Sequence, residues 1–248
     1  MRARLDAEIV RRGLAQSRDR ARRLVLAGRV RVDSRPAAKP DLAVDAASRI
    51  EVFETVGVYA SRGAYKLLAA LEHFRLDPAG RLALDVGAAT GGFTDVLLRS
   101  GAASVIALDV GYGQLAMELR RNPRVVILER ANIRYVEPAD LPFAPSLVTI
   151  DVSFISLKLV LPAVMRLMAA PAEIIALIKP QFEVGKGKVG KGGVVREPAL
   201  RVEARDAVLE FARGIGLEVV GAIDSPIEGA KGNREFLAMM RWSGGRTS

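Results

Sequence analysis

The sequence predicts an α/β protein, a doubly wound parallel sheet preceded by a small α+β module. Three observations carry this. From about residue 80 onward, short apolar runs alternate with helical patterns, as expected of strands buried on both faces with helices returning the chain. The first of these runs leads into Asp85-Val-Gly87-Ala-Ala-Thr-Gly91-Gly92-Phe93-Thr94, a glycine turn that opens a helix. The front of the chain has another character: residues 1–49 hold 13 basic and 6 acidic side chains, a net +7, out of +9 for all 248 residues.

The elements follow in order. Leu5, Ile9 and Leu14 mark a first short helix, and Ala21, Leu24 and Val25 a second behind the N-cap residue Ser17. Gly28 suits the end of that helix. Val30–Val32 and 49–53 read as short strands, with turn chemistry at Asp33–Pro36. In the body, residues 81–86, 104–109, 124–128, 146–151 and 173–178 are the apolar runs. Phe93–Arg99 and Leu157–Met168 are helical between them. A helix over Pro198–Gly214 and strands over 217–223 and 235–242 complete the chain. The division into domains falls at 1–58 and 59–248.

Composition excludes several classes. There are no cysteines and one histidine, His73, which removes disulfide scaffolds, thiol catalysis and cysteine- or histidine-rich metal sites. The longest greasy stretch, 159–171, is interrupted by Arg166 and falls short of the roughly 20 residues of a membrane helix. The N-terminus lacks an apolar signal core. A soluble cytoplasmic protein, without membrane attachment or metal, is expected. The basic front fits a polyanion partner and a merely solvated arginine-rich face equally well on composition alone.

The residues Arg4-Leu-Asp6, Arg12-Gly-Leu14, Ser17-Arg18, Ala21, Leu26, Gly28-Arg-Val30 and Val32-Asp33 resemble the S-four type of RNA-binding domain. The resemblance implies that Arg4, Arg12, Arg18, Arg20, Arg22 and Arg23 grip structured RNA through phosphates and shape.

Glycines are needed in the 85–94 loop because the chain turns tightly where a ligand approaches the backbone. A dinucleotide site would want a second glycine where Ala89 stands. What remains, D-x-G-x-x-x-G-G, resembles the first motif of S-adenosylmethionine-dependent methyltransferases. Asp85, Gly87, Gly91, Gly92, Phe93 and Thr94 are thereby candidate cofactor residues. Asp109 ends the next strand, where an acid suits a ribose diol. Asn132, beyond the third strand, suits an adenine edge or a turn equally. Gly185–Lys191 fits G-x-x-x-x-G-K, but Gly192 stands where the magnesium-binding hydroxyl belongs; the stretch reads as a basic flap or a surface loop.

Charges beside the ends of apolar runs remain: Lys66, Asp151, Lys179 and Glu235. By spacing they serve strand-end solvation or catalysis. Their settings resemble the Lys-Asp-Lys-Glu tetrad of FtsJ-type ribose 2′-O-methyltransferases. Together with Ser61-Arg-Gly-Ala, Thr90-Gly-Gly-Phe-Thr, Asp151-Val-Ser-Phe-Ile-Ser, Lys179-Pro-Gln-Phe-Glu and Gly192-Gly-Val-Val-Arg, the whole chain resembles the TlyA family of ribosomal RNA methyltransferases, also labelled haemolysin-like. That resemblance implies a Rossmann-like catalytic domain, S-adenosylmethionine as cofactor, ribosomal RNA or ribosomal subunits as partner and 2′-O-methylcytidine as product. In this scheme Lys179 accepts the proton, Lys66 orients the hydroxyl, Asp151 holds the lysines and Glu235 fixes Lys66. A non-catalytic ribosome-assembly factor and a membrane-lytic haemolysin are the rivals.

Overall fold

The computed structural model describes residues 3–15, 17–26, 30–33, 35–37, 39–45, 47–52, 59–190 and 192–244. Within this span the chain forms two compact units, Met1–Val58 and Tyr59–Ser248.

In the first unit, β1 (Ala3–Arg4) runs into α1 (Leu5–Arg11), followed by α2 (Arg18–Leu26), β2 (Val30–Val32), β3 (Arg35–Pro36), β4 (Ala43–Val44) and β5 (Ile50–Val52). Strand β1 pairs with β4, and β2 lies between β3 and β5, all antiparallel. Leu5 and Ile9 of α1, one helical turn apart, meet Ala21 and Val25 of α2 and Val30, Val44 and Ile50 of the strands. Ser17 caps α2, its Oγ accepting from Arg20 N at 3.2 Å. Gly28 and Phe53 lie outside the described residues.

The second unit carries α3 (Ala64–Phe74), β6 (Leu82–Val86), α4 (Gly92–Arg99), β7 (Ser104–Asp109), α5 (Met117–Arg120), β8 (Val125–Glu129), β9 (Leu147–Ile150), α6 (Leu157–Leu167), β10 (Ala172–Ile178), α7 (Pro180–Glu183), α8 (Pro198–Gly214), β11 (Glu218–Asp224) and β12 (Phe236–Trp242). The sheet order is β11-β12-β10-β9-β6-β7-β8, with β12 antiparallel to both neighbours. Alternation along each strand sends side chains to two cores. Leu84, Ile106 and Ile174 pack with Val160 and Val164 of α6 and Val208 of α8. Ala83, Val105 and Ile175 pack with Leu67 and Leu71 of α3 and Leu97 of α4.

Helix α3 is a departure from the expected elements. Lys66 sits in its first turn, not beside a strand end. The helix follows Gly63, which offers no capping side chain, and is held by Ala64, Leu67, Ala70 and Leu71, all buried at helical spacing.

The topology places the site. From β6 the chain winds outward through β7 and β8, then returns to the other side of β6 as β9 and winds on to β10. Strands β6 and β9 are thus neighbours whose connections leave in opposite directions, which opens a crevice beyond their C-terminal ends.

Candidate active site

A cavity of about 720 Å³ occupies that crevice, and Gly87, Asp109, Asn132 and Asp151 are in its wall. Gly87 follows β6 with φ +85°. A Cβ built there would lie 2.5 Å from the carbonyl oxygen of Asp151, so the two strand ends pass too closely for any side chain. Ala89 is also left-handed, with φ +47°, and its N–H donates to Asp109 Oδ2 at 2.8 Å. The other oxygen of Asp109 accepts from Gly111 N at 2.6 Å. The acid at the end of β7 thereby ties the glycine loop to its own strand end while staying in the cavity wall.

The remaining loop residues lie behind this wall. Gly91, Gly92, Phe93 and Thr94 are buried, and Asp85 is fully so. Thr94 Oγ1 donates to Asp85 Oδ2 at 2.6 Å and Thr149 Oγ1 to Oδ1 at 3.0 Å. Burial pushes the Asp85 carboxyl up to about 6, against the pull of these two hydroxyls. Asp85, expected at the ligand, is instead a buried post joining β6, α4 and β9. Asn132 forms the turn that one of its sequence readings expects, its Oδ1 accepting from Arg134 N at 3.2 Å to cap Ile133–Tyr135, and it also belongs to the cavity wall. Sequence did not single out Val110, Gln114, Phe154 and Leu159, which also line the cavity. Phe154 is 91 % exposed and left-handed at φ +64°, and its ring lies 5.1 Å from that of Phe182. An apolar residue standing in solvent is the signal here, and only the folded chain displays it.

The four charged candidates gather at one edge of the sheet. Asp151 ends β9 and Lys179 ends β10. The pairing of Ile178 with Phe236 brings Glu235, just before β12, alongside Lys179. A Cβ on Gly63, three residues before Lys66, would lie 3.9 Å from Asp151 Oδ2. Two ion pairs result. Lys179 Nζ is 2.6 Å from Asp151 Oδ1 and 3.0 Å from Ser153 Oγ. Lys66 Nζ is 2.6 Å from Glu235 Oε2, with both side chains buried.

A further carboxylate braces these strand ends. Glu183, on α7 just after Lys179, accepts from Ser156 Oγ at 2.6 Å and from Leu157 N at 2.8 Å. It covers the N-terminus of α6, and burial holds its carboxyl above the ordinary range. The Gly185–Lys191 stretch forms one short turn at Lys186–Lys188, whose Lys188 pairs with Glu203; Lys191 is outside the described residues.

In the first unit the arginines divide. Arg20 and Arg22 are exposed. Arg4 and Arg18 converge on buried Asp6 at 3.0 and 3.4 Å while remaining more than half exposed. The hydrogen bond from Arg4 holds the Asp6 carboxyl below its ordinary value. Arg4, Arg18 and Arg22 border a recess of about 310 Å³ together with Asp6 and Asp19. Arg12, expected on an open cationic face, instead donates to Glu8 at 2.7 Å and to the Ser48 carbonyl at 2.8 Å, and is 23 % exposed. It fastens α1 to the turn before β5. Hydrogen bonds from Arg11, then Arg12, hold the Glu8 carboxyl at about 2. The Arg23 side chain lies outside the described residues.

Residues 59–242 match the family model of FtsJ-like methyltransferases, and residues 3–50 match that of the S4 domain. The fold is therefore that of a methyltransferase on a doubly wound sheet. The chain belongs to the FtsJ-like methyltransferase family, in the group that joins this domain to an S4 domain and includes the TlyA proteins. It is 52 % identical over 241 residues to the 16S/23S rRNA (cytidine-2′-O)-methyltransferase TlyA of Mycobacterium tuberculosis, covering 97 % of this chain and 90 % of that one. It is 37 % identical to Hemolysin A of Brachyspira hyodysenteriae, over 95 % and 98 % of the two chains. A solved structure from Streptococcus thermophilus, named as a hemolysin, superposes with a TM-score of 0.78 at 40 % identity, covering 98 % of this chain and 89 % of the other.

Proposed function

We propose that the chain is an S-adenosylmethionine-dependent methyltransferase acting on the ribose 2′-hydroxyl of cytidine in ribosomal RNA. The observation that carries this reading is the two lysine–carboxylate contacts beside the strand ends, one of them through Asp151 of the cavity wall, in a chain 52 % identical to an enzyme named for that reaction. The cavity fits the donor on its own chemistry. Its wall offers a carboxylate at the end of β7 whose oxygens keep lone pairs for a ribose diol, apolar Val110 and Ile133 for an adenine face, and Asn132 for its edge.

When bound, S-adenosylmethionine supplies a sulfonium methyl: the ribose oxygen forms the new C–O bond, and the electron pair of the breaking S–C bond stays on sulfur. The chain has two tasks left, to align the hydroxyl and to take its proton. Lys179, as the free amine, takes that proton and becomes the ammonium. Asp151 receives Lys179 at 2.6 Å and holds the amine at the cavity wall. Lys66, fixed by Glu235, orients the hydroxyl. Asp85, Thr94 and Thr149 keep the loop over β6 in the shape that the donor needs.

The S4 unit supplies RNA affinity through Arg4, Arg18, Arg20 and Arg22, and that affinity falls steeply with salt as counterions are released. Among the described residues, no helix is long and apolar enough to cross a membrane. To test the reading, the purified chain is incubated with ribosomal subunits and methyl-labelled S-adenosylmethionine, and the RNA is digested to nucleosides. Labelled 2′-O-methylcytidine is expected. Label on a base, or on another nucleoside alone, would overturn the substrate assignment.

A further inference from the structure

We propose that Ser153 is a positioning residue for Lys179: its hydroxyl oxygen and Asp151 Oδ1 together fix the direction in which Lys179 Nζ receives a proton. The inference rests on the reading of Lys179 as proton acceptor. A lysine ammonium has three N–H bonds, and the free amine has two together with one lone pair. Asp151 Oδ1 at 2.6 Å occupies one tetrahedral direction of Nζ. With that contact alone, the second N–H and the lone pair can exchange places, and half of the arrangements aim the lone pair away from the substrate. Ser153 Oγ accepts at 3.0 Å and takes the second N–H. The lone pair is left the third direction.

The scaffold around Ser153 is built for such aim. Ser153 belongs to the cavity wall, on the short loop between β9 and α6. One end of this loop is fixed where Asp151 N donates to Val86 O at 2.9 Å, against the strand end occupied by Gly87. The other end is fixed by Glu183, which holds Ser156 and Leu157 from the turn that begins just after Lys179. Between these anchors the left-handed Phe154 reverses the chain. The base and the loop carrying its two acceptors are thus joined twice, through Nζ and through Glu183. This is how a flexible four-carbon side chain is held to one geometry.

Ser153→Ala and Ser153→Thr in the full chain, with Lys179→Ala alongside, test the idea. Misaiming a reacting group by about an ångström costs up to roughly a hundredfold. Single-turnover transfer by Ser153→Ala, with RNA and donor saturating, is accordingly expected to fall by about tenfold or more. Half-saturating concentrations should stay within about twofold, as an interaction absent from substrate binding requires. Ser153→Thr, which keeps the acceptor oxygen, should recover most of the rate. A second readout needs no turnover: in lysine labelled with ¹³C at Cε, the Lys179 signal of the donor-free protein should report greater mobility in Ser153→Ala than in the parent. Wild-type transfer by Ser153→Ala beside an inactive Lys179→Ala would overturn this inference and leave the proton-acceptor reading standing. Wild-type transfer by Lys179→Ala would overturn both. A raised half-saturating donor concentration with an unchanged maximal rate would make Ser153 a donor contact and sink the positioning role, as would equal loss in a folded Ser153→Thr.

Discussion

The two lysine–carboxylate pairs at the sheet edge are equal in length, 2.6 Å each, and unlike in surroundings. Glu235 is 2 % exposed beside Lys66, whereas Asp151 is 24 % exposed beside Lys179. The first pair bridges α3 and the start of β12, residues 169 positions apart, and its carboxylate is almost closed to water. The second joins two adjacent strand ends and opens on the cavity. A buried pair holds its partners because neither charge can be left alone there. An open pair leaves one of its groups able to exchange protons with something new. In the proposed function, the first pair holds Lys66 in place and the second takes the proton.

Substitutions at Lys179, Glu235 and Asp151 probe that contrast. The largest effect is expected on the open side. Lys179→Ala should lower methyl transfer by about a thousandfold, within the usual range for losing a proton acceptor, while calorimetry shows donor binding intact. Lys179→Arg should fare no better, because guanidinium does not give up its proton. A rapid single turnover by the arginine variant would leave Lys179 a positioning role and make the two pairs alike in kind.

On the closed side the effect moves to stability. Glu235→Ala strands the Lys66 ammonium in a dry site and should destabilise the fold by about 3–5 kcal/mol, read from urea denaturation. Asp151→Asn keeps an acceptor oxygen for Lys179, which also retains Ser153 Oγ, and should cost less, about 1 kcal/mol. Equal losses in the two variants would erase the distinction.

A last probe concerns a buried carboxylate, Asp85, which sharpens the comparison by showing what burial does. Its carboxyl is raised to about 6, chiefly by burial, so the folded state binds this proton more tightly than the unfolded one. Stability from Asp85 is full below the ordinary carboxylate range near 4 and is lost as pH rises through about 6. Asp85→Asn should remove that slope. The difference in unfolding free energy between parent and variant should change between pH 4 and 7, and a constant difference would refute it. Glu183, also raised by burial, contributes a slope of the same sign in both proteins.

The strands were legible because apolar runs delimit buried strands, and Asp151 and Lys179 because each follows such a run; Lys66, on a helix, and buried Glu235 were singled out by resemblance alone. What could not be read was pairing. Lys179 meets Asp151 because the parallel β9–β10 register sets Ala176 beside Ile150, and Glu235 stands beside Lys179 because the β10–β12 register sets Ile178 against Phe236; register between distant strands leaves no local trace. Helix α3 went unread although Ala64, Leu67, Ala70 and Leu71 carry its period, since Gly63 gives no capping signal at its start. The burial of Asp85 was hidden for another reason. Its oxygens are satisfied by hydroxyls 9 and 64 positions away, and a strand-end acid reads the same whether it faces ligand or threonine. Arg12 fell out of the cationic set because Glu8, one helical turn earlier, and a carbonyl 36 positions on had already claimed it.

The near-contact between Gly87 and the Asp151 carbonyl also has a meaning for descent. A lineage can vary either loop only if the other yields first, and the loop at 151 carries the acid that holds the amine. Even one methyl group at position 87 would have to displace the strand end that bears that acid. The 85–94 loop and the strand end at Asp151 are therefore one mechanical part.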